Sequence, residues 1–108
     1  MPDTEPIRML CVYRVRKGKD AEFEQLLETH WPALRAEGLS TDEPARVQRG
    51  RNKAGDTVFI ESFAWKNAGS PDSAHHSARV MAVWEPMGAL TDRMDFWMME
   101  PVRMPFER

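Results

Sequence analysis

Three stretches that read as β-strands are apolar on both faces, and no other feature restricts the fold of this chain as much. Side chains alternate across a strand, so each stretch splits into two rows. In residues 57–65, Val58, Ile60, Ser62 and Ala64 form one row, and Phe59, Glu61, Phe63 and Trp65 the other. In 9–15, Leu10 and Val12 oppose Met9, Cys11, Tyr13 and Val15; in 96–99, Phe96 and Met98 oppose Trp97 and Met99. An antiparallel sheet with one wet face alternates apolar with polar residues. This one needs cover on both sides.

Two helices are available to give it. The first is predicted from an Asp20 N-cap, with Phe23, Leu26, Leu27, His30, Trp31 and Leu34 at helical spacing. Pro32 lacks an N–H and clashes with the preceding turn, so the helix is expected to stop near His30. A short second piece then closes at Gly38, and 39–44 is loop. The second helix is predicted from a Ser70 N-cap and Pro71, with an inward stripe of His76, Val80, Val83, Met87 and Leu90 and a break at Pro86. A strand over 45–51 and a hairpin loop over 52–56 complete the middle, and 91–95 reads as a turn.

The order is β-α-β-β-α-β, an α+β ferredoxin-like plait with a four-stranded antiparallel sheet and both helices on one face. Trp31-Pro32 and Trp84-Glu85-Pro86 end the two helices alike, a weak internal repeat. The expected layout is a polar tail over 1–7, one domain over 8–100 and a C-terminal tail over 101–108. Two helices cover one face only. The other is expected to pack on the same face of a second copy, giving a homodimer. One face of such a sheet can supply the ~800 Å² per partner of a standard interface. The alternative cover is the tail, through Val102, Met104 and Phe106.

Composition excludes several function classes. Of 108 residues, 15 are Lys or Arg and 17 Asp or Glu, a net charge of −2, whereas nucleic-acid binders are normally basic. The one basic run, Arg46, Arg49, Arg51 and Lys53, lacks interleaved aromatics and reads as a guarded edge strand. No apolar run approaches a membrane span, and the first six residues lack the basic and apolar regions of a signal peptide. A cytoplasmic location is expected. A single cysteine, Cys11, rules out an intrachain disulfide and a Cys-rich zinc site. The three histidines show no metal-ligand spacing, so no metal is expected. The eight methionines read as packing.

Three segments carry a resemblance: Glu61-Ser62-Phe63-Ala64-Trp65-Lys66 ending the third strand, Ala74-His75 opening the second helix, and Val83-Trp84-Glu85. They resemble the dimeric α/β-barrel superfamily, the group of the antibiotic-biosynthesis monooxygenases. The resemblance implies a pocket in each subunit between sheet and helices. In the cofactor-free oxygenases of that group, a strand-three tryptophan and an asparagine four residues before it line the pocket. Trp65 matches the tryptophan, but the asparagine position holds Glu61. The haem-degrading branch also uses a strand-one asparagine, and residues 9–16 contain none.

Glu61 is the leading candidate for chemistry. A carboxylate on an apolar face is costly unless paired, and burial tunes it towards acid–base work. The alternative is a structural ion pair with an arginine such as Arg49 across the hairpin, or a place near the strand's exposed edge. His75, near the pocket mouth, is the candidate partner in proton transfer. Trp65, Trp84, Trp31, Tyr13, His76 and Arg49 are the candidate substrate-binding residues, the aromatics for a flat, partly apolar molecule and Arg49 for an anionic group. The function the resemblance implies is a small-molecule enzyme of the cofactor-free monooxygenase kind, with no cofactor expected. The alternative is a non-catalytic, ligand-binding or stress-type homodimer of the same fold, or a purely structural dimer.

Overall fold

The computed structural model describes residues 4–107. Its elements are β1 (Ile7–Val15), α1 (Asp20–Ala36), β2 (Arg46–Arg51), β3 (Thr57–Trp65), α2 (Ser70–His75), α3 (Ala78–Ala89) and β4 (Thr91–Met99). The strands form one antiparallel sheet in the order β2-β3-β1-β4, the order of a ferredoxin-like plait. Of the expected tails, residues 4–6 precede β1 and 101–107 carry no helix or strand, while 1–3 and 108 lie outside the described residues.

Helices and sheet meet on one face. The rows Met9, Cys11, Tyr13, Val15 and Phe59, Glu61, Phe63, Trp65 are buried beneath Phe23, Leu27, His30 and Leu34 of α1 and Val80, Val83 and Met87 of α3. The other face stays open. Leu10, Val12, Val58 and Ile60 are half-buried, and Trp97 is 58% exposed. The tail does not shelter its own apolar residues there, since Val102 and Phe106 are exposed too.

Several boundaries differ from expectation, each for a physical reason. Helix α1 runs unbroken through Pro32 to Ala36. Pro32 is exposed and so is Glu28, whose carbonyl loses its amide partner, so that carbonyl faces solvent, while His30, Ala33 and Leu34 hold the next turn on the core. Pro86 likewise sits inside α3, one turn from its end, and its carbonyl accepts from the Leu90 N–H at 3.1 Å. The predicted second helix is two helices. The Ser77 hydroxyl accepts from the Val80 N–H at 3.2 Å and caps a new start, so the chain turns between His75 and Ala78. Asp20 and Ser70 are first helical residues, not N-caps; Lys19 and Gly69 hold those positions. The expected turn over 91–95 is strand, because Asp92 and Arg93 extend β4 along β1, with Arg93 opposite Arg14.

The end of α1 also fixes the end of β3. Gly38, at φ 70°, donates to the Arg35 carbonyl at 3.0 Å, and Leu39 donates to the Leu34 carbonyl at 2.9 Å, a glycine-dependent helix stop. The Leu39 carbonyl then accepts from the Lys66 N–H at 2.8 Å, and Thr41 donates to the Ala64 carbonyl at 3.0 Å. Trp65 is thereby held from both sides at the rim of the core.

Candidate functional site

A cavity of about 360 Å³ opens between the sheet and the helices. From the sheet, Met9, Cys11 and Tyr13 of β1, Phe63 and Trp65 of β3, and Met94, Phe96 and Met98 of β4 line it. The helices add His30 from α1, Pro71 and His75 from α2, and Trp84 and Met87 from α3. The volume lies in the range of small-molecule sites, and the lining is apolar with a few polar groups, as such sites usually are. Of the lining residues, Phe96 and Met98 of β4 are 56% and 75% exposed and His75 of α2 is exposed as well.

Beneath this cavity runs a buried chain of hydrogen bonds. Glu61 faces the helices from the middle of β3 and is fully buried. The strand register places Cys11 directly opposite it and Tyr13 two residues further along β1. The Tyr13 hydroxyl donates to Glu61 Oε1 at 2.6 Å. From α1, His30 Nδ1 lies 2.9 Å from both carboxylate oxygens. The Trp84 indole N–H donates to His30 Nε2 at 2.9 Å. An indole can only donate, so Nε2 must accept, and the neutral imidazole carries its proton on Nδ1 and gives it to Glu61. The order is Trp84 to His30 to Glu61, with Tyr13 joining from the other side.

These bonds offset what burying a carboxylate costs. The charge also acts on its neighbours. Burial pushes the Cys11 thiol up from 9.0 to about 12; the Glu61 charge adds to the rise, and its contact with Tyr13 opposes it. Burial and then the Glu61 charge push the Tyr13 phenol well above its ordinary range. Cys11 therefore stays a thiol, unsuited to nucleophilic attack, and Tyr13 stays a hydrogen-bond donor.

The sequence-derived candidates divide clearly. Tyr13, Trp65, His75 and Trp84 line the cavity. Trp65 and Trp84 meet edge to face at 6.4 Å, and the His75 ring lies 4.9 Å from Trp84. Glu61 does not line it; His30 and Tyr13 stand between. His76, expected to point inward on a continuous helix, instead ends α2, exposed, with Nδ1 bonded to the Asp72 carbonyl at 2.9 Å. Trp31 packs on the edge of the core under Arg35, outside the cavity. Arg49 is not the partner of Glu61: it donates to Glu24 at 2.7 Å and lies 4.9 Å above Phe59, away from the cavity. Among the described residues, no three of His, Cys, Asp and Glu converge as a metal site.

Sequence reasoning passed over His30 as a site residue. The signal was present, since His30 falls on the buried Phe23, Leu27, Leu34 stripe, where an unpartnered imidazole would be costly. Two isolated polar residues on facing apolar surfaces, Glu61 and His30, were each other's partner.

The strand order and the helices on one face define the chain as a ferredoxin-like α+β plait. No protein-family model and no curated protein matches it by sequence. Solved structures do match. SnoaB, a cofactor-independent oxygenase from Streptomyces nogalater, aligns over 95% of this chain and 99% of its own, with TM-score 0.70 and 14% identity. PA3566 from Pseudomonas aeruginosa aligns over 94% and 98%, with TM-score 0.68 and 11% identity. Rv0793 from Mycobacterium tuberculosis aligns over 94% and 99%, with TM-score 0.66 and 14% identity. The family resemblance read from the sequence thus holds at the level of the fold.

Proposed function

We propose that the chain is a small-molecule enzyme of the cofactor-free monooxygenase kind, working as a homodimer in the cytoplasm. The observation that carries the reading is the apolar cavity of about 360 Å³ whose polar floor is a histidine backed by a buried carboxylate. The substrate is a flat, partly apolar molecule with an acidic C–H beside a carbonyl, held against Trp65 and Trp84. Glu61 acts through His30: it orients Nδ1–H and stabilises the imidazolium formed when Nε2 takes the substrate proton. His75, at the mouth, assists in proton transfer.

The substrate itself supplies the electrons. Loss of the proton leaves a carbanion, whose carbon bonds to dioxygen. The peroxide takes the proton back from His30, and the hydroperoxide loses water as its O–O bond breaks. A methylene and dioxygen thus become a ketone and water, with no external reductant. Likeness to SnoaB, a cofactor-independent oxygenase, supports this reading. The open sheet face, with Trp97 and Met99 exposed, supports the homodimer.

The test is oxygen uptake with a panel of flat ketones bearing acidic methylenes. One dioxygen consumed per ketone formed, with loss of turnover in Glu61→Gln, is the expected result. A second reading, a ligand-binding module, is favoured by one observation: Glu61 and both His30 nitrogens already have partners within the protein. Tight binding with no uptake above the blank would establish it and overturn the enzyme.

A further inference from the structure

Neutral His30 offers one lone pair, on Nε2, and the Trp84 indole N–H occupies it at 2.9 Å. An indole N–H donates and has no means of taking a proton onward. While that bond stands, the base in the cavity floor cannot receive a proton from anything in the cavity. Trp84 is at the same time a cavity wall. It is only partly buried, and its ring meets Trp65 and His75 edge-on instead of being clamped between stacked faces. A flat molecule laid against Trp65 and too broad for the cavity of about 360 Å³ competes for the space the indole fills.

We propose that Trp84 is a latch that masks His30 Nε2 in the empty site and releases it only when a flat ligand displaces the indole. The inference rests on the functional reading above, and it adds control of when the base is available. Its consequence is selectivity. A small molecule that enters without moving Trp84 meets a closed base, whatever its acidity. A ligand broad enough to turn the indole aside opens Nε2 in the act of binding. Trp84 thus sets specificity, while His30 touches the reacting atoms.

Two measurements test the latch. The first uses diethyl pyrocarbonate, which acylates unprotonated imidazole nitrogens, with the exposed His76 as an internal reference because it lies outside the cavity and bonds through Nδ1 alone. Trp84→Phe keeps a ring and removes the donor. The rate at His30 relative to His76 is expected to rise on the order of tenfold, the factor that one net hydrogen bond supplies. An unchanged ratio in a folded Trp84→Phe protein overturns the latch, as does wild-type His30 reacting as fast as His76.

The second measurement follows the four indole N–H signals of ¹⁵N-labelled wild-type protein during titration with anthrone, a neutral tricyclic ketone, with dioxygen excluded. The Trp84 signal is identified by its absence in Trp84→Phe or, if that variant does not fold, by selective labelling and backbone assignment. The expected result is that this signal shifts and loses protection from exchange as anthrone binds. If anthrone perturbs Trp65 and leaves Trp84 bonded and protected, the latch is wrong. If anthrone does not bind at all, the substrate class proposed above fails, and the latch is judged on acylation.

Discussion

Replacing Glu61 with glutamine keeps the shape of the side chain and removes its charge, so it isolates what the carboxylate does. Glu61 is fully buried and accepts from the Tyr13 hydroxyl at 2.6 Å and from His30 Nδ1 at 2.9 Å. A hydrogen bond to a charged group is worth about 1.5–3 kcal/mol and a neutral one about 0.5–1.5. Glutamine has one acceptor oxygen. Placed where Oε1 lies, it still accepts from both Tyr13 and His30, now in neutral form, while its NH₂ takes the place of Oε2 beside Nδ1–H and can make no bond there. Two charge-assisted bonds become two neutral ones, a loss of roughly 2–3 kcal/mol, reduced to about 2 because a buried charge is also removed. In a domain of this size each kcal/mol lowers Tm by about 4–8 °C, so Glu61→Gln should melt ~10 °C below the parent. Glu61→Ala, which strands both partners beside a void, should cost about 3–5 kcal/mol.

A second readout checks the charge itself. The Glu61 charge is the second cause, after burial, of the raised Cys11 thiol at about 12. In Glu61→Gln the alkylation of Cys11 by iodoacetamide should therefore rise at lower pH than in the parent, with burial still holding it above the ordinary value. Scanning calorimetry and the pH profile of alkylation are the assays. A variant as stable as the parent, or with an unmoved thiol profile, would refute the claim that Glu61 is a charged hub of the site.

The same thiol and phenol make stability fall in alkali. Both groups hold their protons more tightly when folded, so the unfolded chain loses them first, and stability falls as pH rises from about 9 towards 12, by up to ~1.4 kcal/mol per unit from Cys11 alone; urea titrations at pH 8, 9, 10 and 11 should show this, and Cys11→Ala should flatten the slope. Arg49→Ala should leave ligand affinity unchanged, because Arg49 lies outside the cavity, and should cost no more than about 1 kcal/mol for its Glu24 and Phe59 contacts, by isothermal titration and melting. Ile60→Asp, on the open sheet face, should turn a sedimenting dimer into a monomer that remains folded; a dimer that survives would place the interface elsewhere.

The parts of the fold set by side-chain alternation were legible in the sequence. Phe59, Glu61, Phe63 and Trp65 share the buried row that their spacing predicts, and that row forms one wall of the site. What failed were inferences from single residues taken without their surroundings. Pro32 and Pro86 break helices in isolation, but here the helix is held by Leu34 and Met87 on the core side. Ser77 acted as a cap that the longer apolar stripe concealed, and this moved His76 out of the site while leaving His75 in it. The pairing of Glu61 with His30, over Arg49, depends on which helix turn settles above which strand position. That is fixed by packing of α1 on the sheet and has no local signature.

Among the described residues, the cavity lining includes no lysine or arginine, and the Glu61 charge lies one layer below it. In the proposed reaction the site would carry one negative charge before the proton moves and one after, on Glu61 alone at first and then shared by substrate, imidazolium and carboxylate. Dioxygen and a ketone product, both neutral, would cross this field freely. A carboxylate or phosphate ester would add a second negative charge with no cation to meet it. The cavity would therefore sort its visitors by ionisation as well as by shape, turning away metabolic anions that fit its outline.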